Sequence, residues 1–386
     1  MRNKLILSAL FVSLLLLVWP ALPAYAQIGK FVPIQAGSDA DRAVTEINAA
    51  TDAAQKLVLI DKFAASVAQG DMAMVADDLY VNYYLAAKNY DKVFEYGEKL
   101  FALDADNFSN AVNMVRAAAE KSDAEKLFAY GEKASAILQR YKTSAAPDGL
   151  SEDAWANRKT QTLQDAHDNV TYVEQLVFNG AYQMRDVTKR AGALVRFAQM
   201  FPESAYASQA LGVAAASYRQ SQNPAKMLEV ANGLLAKDPN NLGMLILLAD
   251  YYSEKGEQLD KAEGEAKKAI SLVDVSKKPE GATEEQWQAQ NALQKGLALS
   301  ALGQINIQKK DNVQAVQNLR AAATLLKPDE GSYARNQYRL GFALLNLKRL
   351  PEAKVAFTEA ASVNSPYKAL AQEKLRSAPA TTAGRN

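Results

Sequence analysis

The sequence contains no cysteine and a single histidine in 386 residues. The first absence excludes thiol nucleophiles, disulfides and cysteine-ligated zinc or iron–sulfur centres. The second excludes any site built on two imidazoles. Neither sign of charge is in excess: 44 Lys and Arg face 43 Asp and Glu, for a formal charge of +1. A nucleic-acid binder needs a basic surface, so that class loses its electrostatic case. No phosphate-cradling glycine-rich loop is present; Gly29 and Gly70 stand alone, and Gly256-Glu257-Gln258 reads as a helix turn. Alternating apolar–polar runs are missing too, while Ala, Leu, Glu, Lys and Gln dominate, which favours helix over strand. An apolar share of 49% with 23% charged residues suits a folded chain and excludes bulk disorder.

One long apolar run is present, and it opens the chain. Arg2 and Lys4 precede Leu5–Trp19, which is interrupted only by Ser8 and Ser13; Pro20 and Pro23 break it, and Ala24-Tyr25-Ala26 follows. This is the pattern of a secretory signal peptide over 1–26, with cleavage expected before Gln27. The alternative is an uncleaved anchor, but the run falls short of the ~20 apolar residues that span a bilayer comfortably. Cleavage removes Arg2 and Lys4 and no acid, moving the formal charge from +1 to −1. No second run of that length follows, so the mature chain is expected to be exported and not itself transmembrane. A Gram-negative periplasm is the expected address, with secretion as the alternative. A lipoprotein would need a cysteine at the cleavage point. A chain of this size buries a core without disulfides, so their absence is compatible with export.

The body of the chain repeats itself. Phe94-Glu95-Tyr96-Gly97-Glu98-Lys99 returns 34 residues later as Phe128-Ala129-Tyr130-Gly131-Glu132-Lys133. A 34-residue unit beginning at Ala334 has Leu340, Gly341, Ala353, Phe357 and Ala360 at positions 7, 8, 20, 24 and 27, with Pro366 just beyond. The unit from Gly296 places Leu302, Gly303, Ala315 and Ala322 alike, with Pro328 after it. Units from Ser208 (Ala215, Tyr218, Met227, Leu234, Pro239) and Leu242 (Leu248, Ala249, Tyr252, Ala262, Ala266, Ala269) follow the pattern, the second after a one-residue insertion. Units at Met74 and Phe108 carry the six-residue match, and a weaker unit spans about 171–207. Small and apolar residues at these spacings share helix faces that form a seam between units.

In period and in these positions the chain resembles the tetratricopeptide repeat (TPR) family, whose units are helix–turn–helix. The resemblance covers roughly 74–366. It implies an all-α, right-handed α-solenoid of stacked helix–turn–helix units, about seven of them, preceded by a helix pair over 38–73. A flexible segment is expected at 27–37, the solenoid over 74–376 with longer turns near 142–155 and 274–287, and a disordered tail at 377–386. A longer repeat lies over the first: Pro147-Asp148-Gly149-Leu150-Ser151-Glu152-Asp153-Ala154-Trp155 parallels Pro279-Glu280-Gly281-Ala282-Thr283-Glu284-Glu285-Gln286-Trp287 at an offset of 132 residues. In each, Pro and Gly stop one helix and Ser151 or Thr283 can cap the next, with acids in its first turn. The array is therefore expected to contain two related halves.

Candidate chemistry is sparse. His167, in Asp165-Ala166-His167-Asp168, has the neighbours of a general base but no nucleophile near it, and reads as a surface histidine. The acid pairs Asp77/Asp78, Glu284/Glu285 and Asp329/Glu330 are expected in caps and turns, where acids stabilise helix starts, rather than as glycoside-cleaving pairs. Asp104-Ala105-Asp106-Asn107 lacks the glycine and terminal glutamate of a calcium loop and reads as an inter-unit turn. No catalytic residue, cofactor or metal ligand is expected. Tyr80, Tyr83, Tyr84, Tyr90 and Tyr96, with Tyr251 and Tyr252, read as packing with a wet hydroxyl, or as groove lining.

The TPR resemblance implies a groove lined by first-helix residues at unit positions 2, 5, 9, 12 and 13. Here these include Asp78, Asn82, Arg116, Glu120, Arg219, Gln220, Asp250, Glu254, Gln304, Gln308, Tyr338, Phe342 and Asn346. The basic clamp with which cytosolic members hold chaperone carboxyl termini is absent. The phrase 197–207 is similar to helix ends in bacterial envelope TPR proteins. The expected function is therefore a non-enzymatic, exported scaffold that binds a protein or peptide of the cell envelope. The alternatives are a self-assembling structural envelope protein and an all-helical carbohydrate-active enzyme. The polar last-helix residues Lys368, Gln372, Glu373, Lys374 and Arg376 read as a solubilising cap, against head-to-tail stacking.

Overall fold

A computed structural model describes residues 27–68 and 70–377. The expected signal peptide, and the expected tail beyond Ser377, lie outside the described residues. Among the described residues every regular element is helical. In chain order these are α1 (Asp39–Ala49), α2 (Ala53–Ser66), α3 (Met72–Ala86), α4 (Tyr90–Leu103), α5 (Phe108–Glu120), α6 (Ala124–Thr143), α7 (Glu152–Asp165), α8 (His167–Tyr182) and α9 (Val187–Met200). There follow α10 (Ala207–Gln220), α11 (Pro224–Lys237), α12 (Leu242–Lys255), α13 (Leu259–Asp274), α14 (Glu284–Gln308), α15 (Asn312–Leu326), α16 (Glu330–Asn346), α17 (Leu350–Ser362) and α18 (Tyr367–Ser377). The chain divides into two compact units, 1–177 and 178–386, with the division inside α8.

Within each unit the packing is that of a stack. In the first, α1 to α6 each pack on the next helix, and α3 also touches α5. In the second, α9 to α18 do the same, with further contacts of α10 on α12, α12 on α14 and α14 on α16. Alternate helices thus form one layer and the intervening helices the other, which is the TPR-like α-solenoid expected from the repeats.

Short-range chemistry sets the register. Many of the helices begin on an Asp, Asn, Ser or Thr whose side chain accepts the amide three residues on: Asn89 from Lys92, Asn107 from Asn110, Asp123 from Lys126, Asn223 from Lys226 and Asp311 from Gln314. Such a cap is worth about 1 kcal/mol. The turn inside a pair also recurs. Lys88, Ser122, Gln222, Lys310 and Lys348 all take left-handed φ between 55° and 65°. The amide after each bonds back to a carbonyl five residues earlier, as Asn89 N to Tyr84 O at 2.9 Å and Asp311 N to Asn306 O at 2.9 Å. This closes the helix end. Gly256 serves the same turn between α12 and α13 at φ 70°.

The helices of a pair approach closely where the sequence offers glycine. A Cβ on Gly341 would lie 2.8 Å from the Phe357 ring, and one on Gly303 would lie 2.5 Å from Leu319. Phe357 and Leu319 are fully buried, so a small residue at position 8 makes room for the large one at position 24.

The two longer-repeat segments share one structure. Gly149 and Gly281 have φ 83° and 80°. Ser151 and Thr283 have ψ 154° and 153° and cap α7 and α14 through Ala154 and Gln286. The hydroxyls of Ser144 and Ser276 turn back on the carbonyls of Tyr141 and Val273, at 2.7 and 2.8 Å. The helix that follows is interrupted at Ala166, between α7 and α8, but runs unbroken through α14.

Candidate functional site

Groove positions in the first unit lie on α3 and α5. Asn82, exposed on α3, donates to the carbonyl and carboxylate of Asp78 one turn earlier, at 2.9 and 3.0 Å. Asn113 of α5 reaches Asn82 at 3.4 Å. Arg116 donates to Glu120 at 2.7 Å, and the Tyr90 hydroxyl donates to the same carboxylate at 2.8 Å. Beside this face lies a trough of about 590 Å³ lined by Val44 and Asn48 of α1, Lys56 and Ile60 of α2, and Val75, Asp78, Leu79 and Asn82 of α3. Asp77 and Asp78 are mid-helix residues of α3, not the cap residues expected from sequence. Burial raises both carboxyls above the ordinary value, opposed by Lys99 at Asp77 and by the Asn82 amide at Asp78. Arg116 is the main cause that lowers the Glu120 carboxyl.

The second unit concentrates charge. Asp250 on α12 is 3% exposed. It accepts from Arg219 of α10 at 2.7 Å, from Arg335 of α16 at 2.7 Å and from Arg339 of α16 at 3.0 Å. Glu254, one turn on, accepts from Arg219 at 2.8 Å and Arg339 at 3.0 Å. Arg339 is also buried, against Ser300 of α14. Burial alone would raise the Asp250 carboxyl, but the guanidiniums of Arg335, Arg339 and Arg219 outweigh it and hold the group far below the usual range. Arg219 and Arg335 are both disfavoured by burial, yet rise above the ordinary value because Asp250 and Glu254 face them. Asp250, held ionised by these guanidiniums, does not fit the protonated-acid role of glycoside cleavage.

A second trough, about 670 Å³, lies among α9, α10, α12 and α14. Arg190, Ser208, Gln209, Gly212, Gln220, Asn241, Met244, Leu247 and Gln294 line it. Arg190 donates to Ser217 at 3.2 Å and to Gln220 at 3.4 Å.

Of the sequence-predicted residues, the structure brings Asp78 to Asn82 and Arg219 to Asp250 and Glu254. Gln220 lines a trough, Gln304 is half-buried on α14, and Phe342 is exposed on α16. Asn346 donates to Asn312 of α15 at 2.9 Å. Gln308 is exposed and donates to the Ser253 carbonyl at 3.3 Å. Tyr338 is half-buried on α16, and its ring packs on Phe357 and Tyr367, 5.7 and 5.6 Å away. Arg335 and Arg339 were not foreseen. Their signal was an i, i+4 basic pair on one first helix, matching the i, i+4 acidic pair Asp250/Glu254 on another. His167 is exposed at the start of α8, and Asp165 accepts from Gln161 at 2.8 Å. Among the described residues no group of three or more His, Asp or Glu is placed to hold a metal, and no helix is long and apolar enough to cross a membrane.

The sequence matches no protein-family model and no curated protein at a significant level. Some solved structures are similar to it. Yeast Tom70 is 12% identical with a TM-score of 0.38, over 90% of this chain and 66% of that one. The APC/C hetero-tetramer Cut9–Hcn1 is 12% identical with a TM-score of 0.43, over 88% and 63%. The P58(IPK) TPR domain is 13% identical with a TM-score of 0.30, over 88% and 98%. This chain thus spans just under two thirds of the first two. At these identities and TM-scores the likeness carries no conclusion about this chain's role or partners.

Proposed function

We propose that this protein is an exported, non-enzymatic scaffold that holds an extended segment of a cell-envelope protein along the first helices of its repeats. The observation that carries the reading is the pair of troughs, one in each unit, with apolar floors and amide-bearing walls. Asn48 and Asn82 in the first, and Gln209, Gln220 and Gln294 in the second, present both donors and acceptors. An extended backbone offers the same, so a segment can be held by main-chain bonds while its side chains enter the apolar floor. Each such bond contributes about 0.5–1.5 kcal/mol net, so several are needed for a stable complex. The leader Leu5–Trp19 with Ala24-Tyr25-Ala26 supports export, and the periplasm is the compartment in which the partner is to be sought.

The test is photocrosslinking in cells with a reactive residue at Asn82 or Gln220 and a control at Lys374. One protein captured from the trough positions and not from the control is the expected result. Capture only of a second copy of the chain would replace the scaffold reading with self-assembly, and no capture from either trough would reject it.

A further inference from the structure

The trough of the second unit carries a charge that the fold does not answer. Arg190, half-buried at the start of α9, is the one charged residue among those lining it. Its Nε donates to the Ser217 hydroxyl at 3.2 Å and its Nη2 to the Gln220 carboxamide at 3.4 Å, both uncharged acceptors. Its Nη1 has no partner among the described residues. Asp186, one turn earlier, is the acid nearest in sequence, and its carboxylate accepts from the Lys189 amide at 2.9 Å as the cap of α9. The network arginines of this unit are matched instead: Arg219, Arg335 and Arg339 each meet Asp250 within 3.0 Å. Bonds between ionised partners are shorter and roughly twice as strong as neutral ones. Two long bonds to neutral oxygens therefore aim the Arg190 guanidinium without saturating it.

The floor beside it is bare. Gly212 and Gly243 fall at unit positions 5 and 2, and Ala216 at position 9. Neither glycine has a left-handed backbone, and a Cβ would meet nothing closer than 3.9 Å at Gly212 or 3.7 Å at Gly243. Packing demands glycine at 303 and 341, but not at these two positions. Glycine weakens a helix relative to alanine, so the fold gains nothing from it here. What the missing side chains leave is room for another backbone to lie close. Met244, buried, and Leu247, half-buried, line the same trough with apolar surface.

We propose that the segment held in this trough carries an acidic side chain, Asp or Glu, whose carboxylate seats on Arg190 while its backbone lies over Gly212 and Gly243. A carboxylate can take two parallel bonds from a guanidinium, which fixes its direction as well as its charge. The inference rests on the scaffold reading and narrows it. Arg190 stands on α9, the second helix of its pair, outside the groove positions of the repeat. The preference is thus a property of this chain and not of its architecture. The trough of the first unit, which holds both Asp78 and Lys56, imposes no such sign.

The probe is a library of short random peptides displayed on phage, selected on the purified protein and on Gly212→Leu, whose side chain fills the floor. Peptides retained by the wild type and lost on Gly212→Leu are expected to share an Asp or Glu at one position. They should bind Arg190→Gln about tenfold more weakly. Selection on Arg190→Glu should return Lys or Arg at that position, a gain that a misfolded variant could not give. Trough-dependent peptides with no acidic position, or with equal affinity for Arg190→Gln, would overturn the charge preference and leave the scaffold reading standing. No peptide that distinguishes the wild type from Gly212→Leu would overturn both at this trough.

Discussion

The first helices of the repeats are used differently in the two units. In the second, Asp250 lies beneath three guanidiniums from α10 and α16, and charges at groove positions are spent on one another. In the first, Asp78, Asn82, Asn113, Arg116 and Glu120 occupy the matching layer half-buried or exposed, each bonded to a near neighbour. A groove position in a repeat is therefore not by itself a binding position. Where helices two pairs apart come within arginine reach, the residue becomes part of the scaffold. Where they do not, it stays available to a partner.

The sharpest way to break this contrast is Asp250→Ala. It strands three arginines with only Glu254 and is expected to cost about 3–5 kcal/mol in urea unfolding. Asp78→Ala, which removes a carboxyl that burial already disfavours, is expected to cost less than about 1 kcal/mol. A small loss at Asp250 would mean that the network decorates the fold without holding it. Next in size is Gly341→Ala, expected to cost about 1–3 kcal/mol because its Cβ meets the Phe357 ring. Gly233→Ala in α11, where a Cβ meets nothing within 4 Å, is expected to stabilise by about 0.5–1 kcal/mol. Like signs in the two melting curves would contradict the close packing of the last pair.

Acid should separate the units without any mutation. Asp77 and Asp78 have raised folded-state values, so the folded first unit keeps protons that the unfolded chain has released. Its stability falls as pH rises through that window and recovers as pH falls back below it. Asp250 is depressed, so its contribution is present above the unfolded value near 3.8 and is lost only as pH falls below it. Hydrogen exchange mapped from neutral pH to about pH 4.5 should thus show slower opening in α3 and unchanged opening in α12 and α16. The smallest stability effect is expected from Arg116→Ala, within about 0.5 kcal/mol for an exposed pair. The same change should reduce crosslinking from Asn82, since this face is the one left free.

Much of the fold was legible because its causes are local. Gly303 and Gly341 fall at position 8 opposite Leu319 and Phe357 at position 24, a spacing two packed helices impose on any sequence. Ser151 and Thr283, read as caps from the sequence, do start α7 and α14 by accepting the amide three residues on. The charged network was not legible in the same way. Arg335 and Arg339 lie 85 and 89 residues from Asp250, and each i, i+4 pair alone looks like a solvated helix face. Only the stacking of α12, α14 and α16 brings them together. Tyr338 also packs on Tyr367 of α18, a contact to the next helix pair that its place within one unit does not announce. Asp77 and Asp78 were misplaced for a related reason: two adjacent acids suggest a helix start, whereas α3 begins at Met72 on a cap without a side-chain bond. The bonds that hold Ile28 and Lys30 to Phe108 and Asp104 have no periodic signature, since their partners lie in the turn at 103–108.

The reach of Asp250 from α12 to α16 also bears on how the second unit comes apart. A stack whose pairs touch only their neighbours can peel from its end, one hairpin after another. Here the terminal hairpin cannot leave while Arg335 and Arg339 are clasped two pairs back. Pulled by its carboxyl terminus, this half of the molecule should resist as one block and give way in a single rupture across α12 to α18, where an unclasped array would unravel in steps.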